Sequence, residues 1–261
     1  KIMAEEKRKF PSEVVDLPSK GLLYPKDHPL ASGQIEIKYM TAKEEDILTS
    51  RTLIQKGIVL DKLMESVIIQ DGVVLDDLLL GDKNAIMIAT RILGYGKDYS
   101  VELVDPDSGE KQKETFDLTK IEDKKIDEKL IKGGKNEFDF DLPASKVKIT
   151  FKLLTHKDEK EVDEELKALK KFQKESGVTS EITTRLKKAI LSVDGDQTPK
   201  RINEFVDYEL LSRDSLALRE YLREITPDID LTFNFISEAT GDSQKMDIPL
   251  NVEFFWPAGR G

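Results

Sequence analysis

The sequence predicts an α+β fold in which a strand–helix–hairpin unit is pseudo-duplicated. A strand-to-helix junction occurs twice, at residues 35–45 and 149–159, and five of its eleven positions are identical. A leader related to Leu-Pro-Ser-Lys precedes each copy, at residues 17–20 and 142–146. The chain runs in the order strand, helices, hairpin, strands, helices and hairpin, which is typical of an α+β protein.

The first predicted unit covers residues 34–135 and follows an extended N-terminal arm at residues 1–33. Its strand alternates apolar and polar residues, as a half-buried strand does. Thr41 and Glu44 match a capping box, so a helix is predicted to begin there and to end at Gly57. Two more helices and a hairpin complete the unit, at residues 60–70, 83–93, 99–104 and 111–118.

The second predicted unit covers residues 136–261. It begins with two alternating strands and continues with an all-helical segment near residues 156–225, whose apolar residues recur at helical spacing. The first helix of this segment is predicted to start at Thr155 and to end at Gly177. A hairpin closes the unit and pairs the last two predicted strands, residues 229–236 and 246–256.

Composition argues against several classes of function. The 261 residues carry a net charge of −10, which disfavours general binding to nucleic acid or to an anionic membrane but leaves room for a local basic patch. Cysteine is absent, so disulfides and thiolate metal ligands are excluded. No apolar run is long enough for a membrane span, and the first ten residues are too polar for a signal peptide. These features favour a soluble intracellular protein without a cofactor.

No catalytic motif stands out, and the sequence predicts neither catalytic nor metal-binding residues. Phosphate-binding loops, nucleophile elbows and zinc-protease helices are missing. His156 is expected to be solvated in the first turn of a helix, far in sequence from His28. The acid clusters fall at helix starts, where they favour the helix dipole. The alternative, a metal-dependent hydrolase, would require four acids to gather around a cation: Glu44, Asp46, Asp158 and Asp163.

Two predicted turns share the length and the final glycine of a Cys-x-x-Cys-Gly zinc knuckle, at residues 105–109 and 237–241. Two such knuckles supply four thiolates to one zinc ion. The corresponding positions here are Asp105, Ser108, Ser237 and Thr240. We hypothesise that the two hairpins pack together as a metal-free remnant of a zinc ribbon. Two ordinary turns are the alternative, and tips more than about 15 Å apart would contradict the remnant.

Two apolar segments are candidates for contact with partners. The first lies in the N-terminal arm, which we expect to be disordered alone and ordered on a partner, so that residues 1–25 are dispensable for folding. The second lies in the last predicted strand, where adjacent rings point to opposite faces and a one-sided core would leave one ring exposed. A fully buried final strand is the alternative. The candidate residues are Leu22, Leu23, Tyr24, Phe254, Phe255 and Trp256.

Three segments carry a family resemblance: residues 17–25, the junction at 35–45 with its helix to Gly57, and residues 247–257. Together they resemble the baseplate hub protein family of contractile-tailed, myovirus-type bacteriophages. The resemblance covers both ends of the chain and omits most of its central helical stretch. Some members of that family carry Cys-x-x-Cys-Gly knuckles where this chain has its two turns. This sequence departs from the pattern there, so zinc is not carried over.

The resemblance implies a protein that acts by binding other phage tail proteins. The expected function is a non-enzymatic structural subunit of the baseplate hub, present in several copies. Its expected location is the virion tail, and the host cytoplasm during assembly. A tail assembly chaperone that leaves before the virion matures is the second interpretation. Neither function needs a catalytic site, nucleic acid or a membrane span.

Overall fold

The computed structural model describes residues 11–131, 133–172 and 179–256. The strands in these ranges are β1 (Ser12–Asp16), β2 (Gln34–Lys38), β3 (Asp98–Val104), β4 (Lys111–Asp117), β5 (Phe138–Asp141), β6 (Lys148–Phe151), β7 (Ile190–Val193), β8 (Thr232–Ile236) and β9 (Ser243–Asp247). The helices are α1 (Ala42–Thr49), α2 (Arg51–Lys56), α3 (Val59–Val67), α4 (Leu80–Tyr95), α5 (His156–Phe172), α6 (Glu181–Ala189), α7 (Pro199–Glu204) and α8 (Ser212–Ile225). Small antiparallel sheets alternate with groups of helices, which confirms the predicted α+β class.

The predicted N-terminal arm is wrong for residues 12–33. β1 pairs antiparallel with β2, with Asp16 opposite Gln34, so residues 12–16 form a strand with residues 34–38 and not an extended arm. Leu17 and Leu30 are buried in the connection between the two strands. The ladder pairs one edge of β1, and the apolar side chains that follow the strand are buried in the core of their own chain. The part of the predicted arm at residues 1–10 lies outside the described residues.

The first repeated junction forms as predicted, but its helix is broken. Glu44 closes the capping box with Thr41, and Gly57 ends the helical stretch in the left-handed conformation, at a φ of 69°. Between them, α1 stops at Thr49 and α2 starts at Arg51. The hydroxyl of Ser50 accepts a hydrogen bond from the N–H of Leu53, so Ser50 acts as a new N-cap inside the predicted helix.

The predicted all-helical segment of the second unit is wrong because it contains a strand. β7 joins the edge of the β5–β6 hairpin and pairs antiparallel with β6, with Ile149 opposite Val193. Ile190 and Val193 are β-branched and buried, which suits a sheet better than a helix end. The predicted end of α5 at Gly177 lies outside the described residues.

The predicted final strand at residues 246–256 is also wrong beyond its first residues. β9 ends at Asp247, and a 3-10 turn covers Val252–Phe255. Pro249 has no N–H to donate to a ladder. The side-chain oxygen of Asn251 then accepts a hydrogen bond from the N–H of Phe254 and starts the turn.

One cluster of buried apolar residues joins both halves of the chain. The first half contributes fully buried side chains such as Ile37 and Leu63, and the second half contributes Phe151 and Leu218. The two halves therefore share one core. Among the described residues, no helix has both the length and the hydropathy to cross a membrane.

Candidate functional site at the paired hairpin tips

The tips of the β3–β4 and β8–β9 hairpins contact each other directly. The hydroxyl of Ser237 donates a 2.6 Å hydrogen bond to Oδ2 of Asp105, and Thr240 donates a 3.2 Å hydrogen bond to Oδ2 of Asp107. The proximity that the zinc-ribbon hypothesis requires is therefore present. The origin of the tips as a remnant of a metal site stays a prediction.

Each tip is organised by a polar side chain at its first position. Asp105 accepts hydrogen bonds of 2.9 Å from the N–H of Asp107 and from the hydroxyl of Ser108. In the other tip, the hydroxyl of Ser237 accepts a 3.1 Å hydrogen bond from the N–H of Thr240. In each tip, the first side chain accepts a hydrogen bond from a backbone N–H two or three residues later, as Asp and Ser side chains do in tight turns.

The two turns also end alike. Gly109 donates its N–H to the carbonyl of Asp105, and Gly241 donates to the carbonyl of Ser237, both at 2.8 Å. Both glycines have positive φ values, 74° and 78°, which a residue with a Cβ rarely adopts. The shared glycine in the two sequence patterns therefore has a geometric cause.

Gln112 fastens one hairpin to the other, and sequence reasoning missed it. Its Nε2 donates to the carbonyl of Ile236 at 2.9 Å, and its Oε1 accepts from the N–H of Glu238 at 3.0 Å. The side-chain amide thus pairs with the backbone of the second tip as a strand would. Asp107 was also missed. Only the position of both residues beside the turn could have indicated their role.

The electrostatics of the tips favour a structural role over a chemical one. Hydrogen bonds from Ser237, then from Asp107 and Ser108, hold the pKa of Asp105 below its usual range. A carboxylate that accepts three hydrogen bonds is a poor general base, because taking up a proton would weaken those hydrogen bonds. In the described part of the chain, no group of His, Cys, Asp and Glu side chains is placed to hold a metal ion.

Two of the four acids that the hydrolase alternative requires are used at the two repeated junctions. Glu44 accepts hydrogen bonds from Lys38 at 2.6 Å and from the N–H of Thr41 at 2.8 Å. In the second copy, Asp158 accepts from Lys152 at 2.7 Å and from the N–H of Thr155 at 3.0 Å. Both carboxylates start a helix and bind a lysine at the end of the preceding strand (Lys38) or immediately after it (Lys152).

Asp46 and Asp163, the other two acids of that alternative, are exposed. Burial opposes the ionisation of Glu44, but hydrogen bonds from Lys38, Ser66 and Thr41 outweigh it and lower the pKa of Glu44 to about 2. Glu44 is therefore a fixed anion at neutral pH and not a proton donor.

His156 is buried, so its predicted solvation is wrong. Its Nδ1 lies 3.0 Å from Nζ of Lys83, and its Nε2 lies 3.2 Å from Oδ1 of Asp61. Burial lowers the pKa of Lys83. The three side chains come from α5, α4 and α3, so they join the start of the second helical group to the first.

A family comparison accounts for most of this chain. Residues 13–256 match the model of a family described as T4 bacteriophage base plate protein. The chain belongs to this baseplate family. The match includes both repeated junctions, both hairpin tips and the buried C-terminal turn. No curated protein matches the chain, and no solved structure does.

In this baseplate protein, the first predicted partner segment is largely internal. Leu23 and Tyr24 are buried, and Leu22 is partly buried against the same core. The hydroxyl of Tyr24 donates to Oδ2 of Asp82 at 2.7 Å and accepts from the N–H of Leu79 at 3.0 Å. The interpretation of Leu23 and Tyr24 as exposed anchors is therefore wrong, because they cover the start of α4 in their own chain.

The aromatic C-terminal segment of the baseplate protein is also internal. Phe254 and Phe255 are both fully buried, because a 3-10 turn does not place successive side chains on opposite faces as a strand does. Arg91 donates a 2.9 Å hydrogen bond from Nε to the carbonyl of Phe254, whose ring meets Tyr99 edge-on with 4.8 Å between ring centroids. Trp256 is half-buried.

Proposed function

We propose that this baseplate protein is a non-enzymatic structural subunit of the hub region of a contractile phage tail, where it binds other tail proteins. The observation that carries the proposal is the family match over residues 13–256. Binding in several copies and a place in the mature virion belong to the same proposal.

The use of the polar side chains supports a structural role. The most deeply buried carboxylates, Glu44, Asp82 and Asp214, each accept hydrogen bonds that hold a helix start or a loop in place. A catalytic carboxylate would instead face a cleft with a proton to transfer. These acids are committed to the fold, which leaves the surface to contribute the function.

The experiment that tests the proposal is mass spectrometry of purified virions, with a cryo-EM map of the tail tip to locate the chain. We expect the protein in mature particles, at a fixed number of copies and at the hub. A protein that is present in assembly intermediates and absent from mature particles would be an assembly chaperone instead. A protein found at the baseplate periphery would contradict the hub assignment alone.

A further inference from the structure

Each half of the chain contains a loop whose backbone donates hydrogen bonds to a buried aspartate. Asp82 lies in the first turn of α4 and accepts a 3.0 Å hydrogen bond from the N–H of Ser19. Asp214 lies in the first turn of α8 and accepts a 2.7 Å hydrogen bond from the N–H of Ala144. The two aspartates have the same separation in sequence as the contacting tip residues Asp105 and Ser237, which is 132 residues.

The backbone of these two loops also corresponds. Lys20 and Lys146 occupy the left-handed region, with φ values of 51° and 61°. Non-glycine residues rarely adopt this conformation. The start of α4 and the start of α8 are therefore equivalent positions in the two halves, and their surroundings can be compared residue by residue.

In the first half, a segment of the chain covers the start of α4. We call residues 21–28 the covering segment. Its Tyr24 binds both Asp82 and the N–H of Leu79, and Nε2 of His28 lies 3.3 Å from Oδ2 of Asp77. Leu79 is buried, and it also forms an antiparallel bridge with Thr155 of the second junction.

In the second half, the start of α8 has no such cover among the described residues. The connection between β5 and β6 is a tight turn, whereas the connection between β1 and β2 contains the whole covering segment. Leu211, the equivalent of Leu79, is 51% exposed, and nearby Tyr208 is 86% exposed. Exposed large apolar side chains beside a polar rim are typical of interaction surfaces.

The charges around the start of α8 differ in the same way. Lys20 of the first loop forms an ion pair with Glu128. Its equivalent Lys146 and the adjacent Arg213 are both exposed, and neither has a carboxylate within ion-pair distance in the part of the chain that the structure describes. Two cations beside two apolar side chains are complementary to an apolar segment that carries negative charge.

We propose that the start of α8 binds an extended segment of another tail protein, in the position that the covering segment takes over α4. The segment has an aromatic or leucine anchor, which packs on Tyr208 and Leu211, and at least one carboxylate for Lys146 and Arg213. This inference rests on the proposed function, because it names a surface through which the subunit binds its partners.

Other segments of this chain fit the surface poorly. Residues 1–10 have more basic than acidic side chains, which makes them less complementary to Lys146 and Arg213 than an acidic segment. A second copy could offer its own covering segment only by exposing Leu23, Tyr24 and Leu79. Two copies also repel each other through a net charge of −10 each.

The test uses the full chain and a synthetic peptide that copies residues 21–29, with Lys26 replaced by Glu to supply negative charge. We expect a saturable interaction in fluorescence anisotropy and in NMR titration. Leu211→Ser and the double variant Lys146→Glu with Arg213→Glu should each weaken binding by about tenfold or more, which corresponds to about 1.4 kcal/mol. Leu216→Ser is the matched control, because Leu216 is 49% exposed on the same helix outside the proposed surface. It should bind like the unaltered chain.

Absence of binding, or equal losses in Leu211→Ser and Leu216→Ser, would overturn the inference. Concentration-dependent dimerisation that Leu211→Ser abolishes would overturn it too, since the occupant would then be a second copy. The proposed function is tested separately by the presence of the protein in virions. A chain that is found in the hub but does not bind the peptide would contradict the inference and leave the proposed function standing.

Discussion

The two halves of the molecule use one framework and bury its loops differently. In the first half, Asp82 receives donors from Ser19 and from the hydroxyl of Tyr24, and burial raises the pKa of Asp82 in spite of these bonds. In the second half, burial acts to raise the pKa of Asp214, but hydrogen bonds from the N–H groups of Ala144 and Ser145 outweigh this effect and lower the pKa. The connection of the first half is long enough to place Tyr24 over its helix start, whereas the connection of the second half spans only residues 142–147.

Deletion of residues 1–25 is expected to have the largest effect. It removes β1 and the buried side chains of Leu17, Leu23 and Tyr24. Each fully buried apolar side chain contributes about 1.5–3 kcal/mol, against a total stability of about 5–15 kcal/mol. The deletion should abolish cooperative unfolding in circular dichroism. This reverses the expectation from sequence that residues 1–25 are dispensable. A chain that starts at Pro11 keeps the described contacts and is the control, and equal melting curves for the two chains would contradict the internal role of the segment.

Asp82→Ala should cost more than Asp214→Ala. The first substitution leaves the N–H and hydroxyl of Ser19 and the hydroxyl of Tyr24 without an acceptor in a buried site. The second leaves only two backbone N–H groups, of Ala144 and Ser145. Each buried unsatisfied donor costs about 1–3 kcal/mol. Urea unfolding of both variants measures the difference, and a larger loss for Asp214→Ala would show that the loop of the second half is the more critical one.

Acid should weaken the first junction through Glu44. Its folded pKa of about 2 is below the ordinary value of 4.5, so its stabilisation is complete above about pH 4.5 and is lost as the pH falls through about 2. Linkage limits the effect to about 3 kcal/mol. Glu44→Gln should therefore be destabilised relative to the unaltered chain at pH 7 and nearly equal to it at the lowest pH at which both fold. A stability difference that does not change with pH would mean that the ionisation of Glu44 does not matter.

Ser237→Ala should have the smallest effect on stability, about 1–2 kcal/mol, because it removes the hydrogen bond to Asp105 of the other tip and the one from the N–H of Thr240. Ser108→Ala is the matched control, since Ser108 donates to the same Asp105 from within its own tip. Hydrogen exchange should show faster opening between the tips only in Ser237→Ala. Equal exchange in both variants would indicate that Gln112 and the Thr240–Asp107 hydrogen bond hold the hairpins together without Ser237.

The tips also allow a direct test of their resemblance to a zinc ribbon. Cysteine at Asp105, Ser108, Ser237 and Thr240 together should create a tetrahedral thiolate site if the geometry is that of paired knuckles. Cobalt spectroscopy would detect it, and a chain with cysteine at Asp105 and Ser108 alone should bind far more weakly. Equal cobalt binding by the two chains would count against the remnant.

Local patterns predicted the elements whose causes are local. The capping box at Thr41, the stop at Gly57 and the turn chemistry at residues 105–109 depend on neighbours in sequence, and they form as expected. β7 could not be predicted in this way, because its ladder partner is β6, far away in the chain. The covering segment was wrongly predicted to be exposed for the same reason, since Asp82, which accepts a hydrogen bond from Tyr24 of this segment, lies in another element.

In the candidate site, too, features with local causes were predictable from the sequence and features with distant partners were not. The sequence indicated the similarity of the two tips and the four positions Asp105, Ser108, Ser237 and Thr240. It gave no sign of Gln112, whose partners are 124 and 126 residues away. The alternation of apolar residues predicted a strand at the aromatic end, but Pro249 lacks an N–H for a ladder and Asn251 starts a 3-10 turn.

By itself, the sequence determined the α+β class and the repeated capped junctions, because backbone preferences and hydrophobic periodicity act over a few residues. The resemblance to baseplate proteins rested separately on the motifs of three segments, residues 17–25, 35–45 and 247–257. Only the tertiary structure decided that the tips meet, that Tyr24 and Phe254 face inward, and that Leu211 stays exposed. Burial depends on which distant segments share a core. An apolar side chain is an anchor for a partner or a part of the core according to what its own chain places over it.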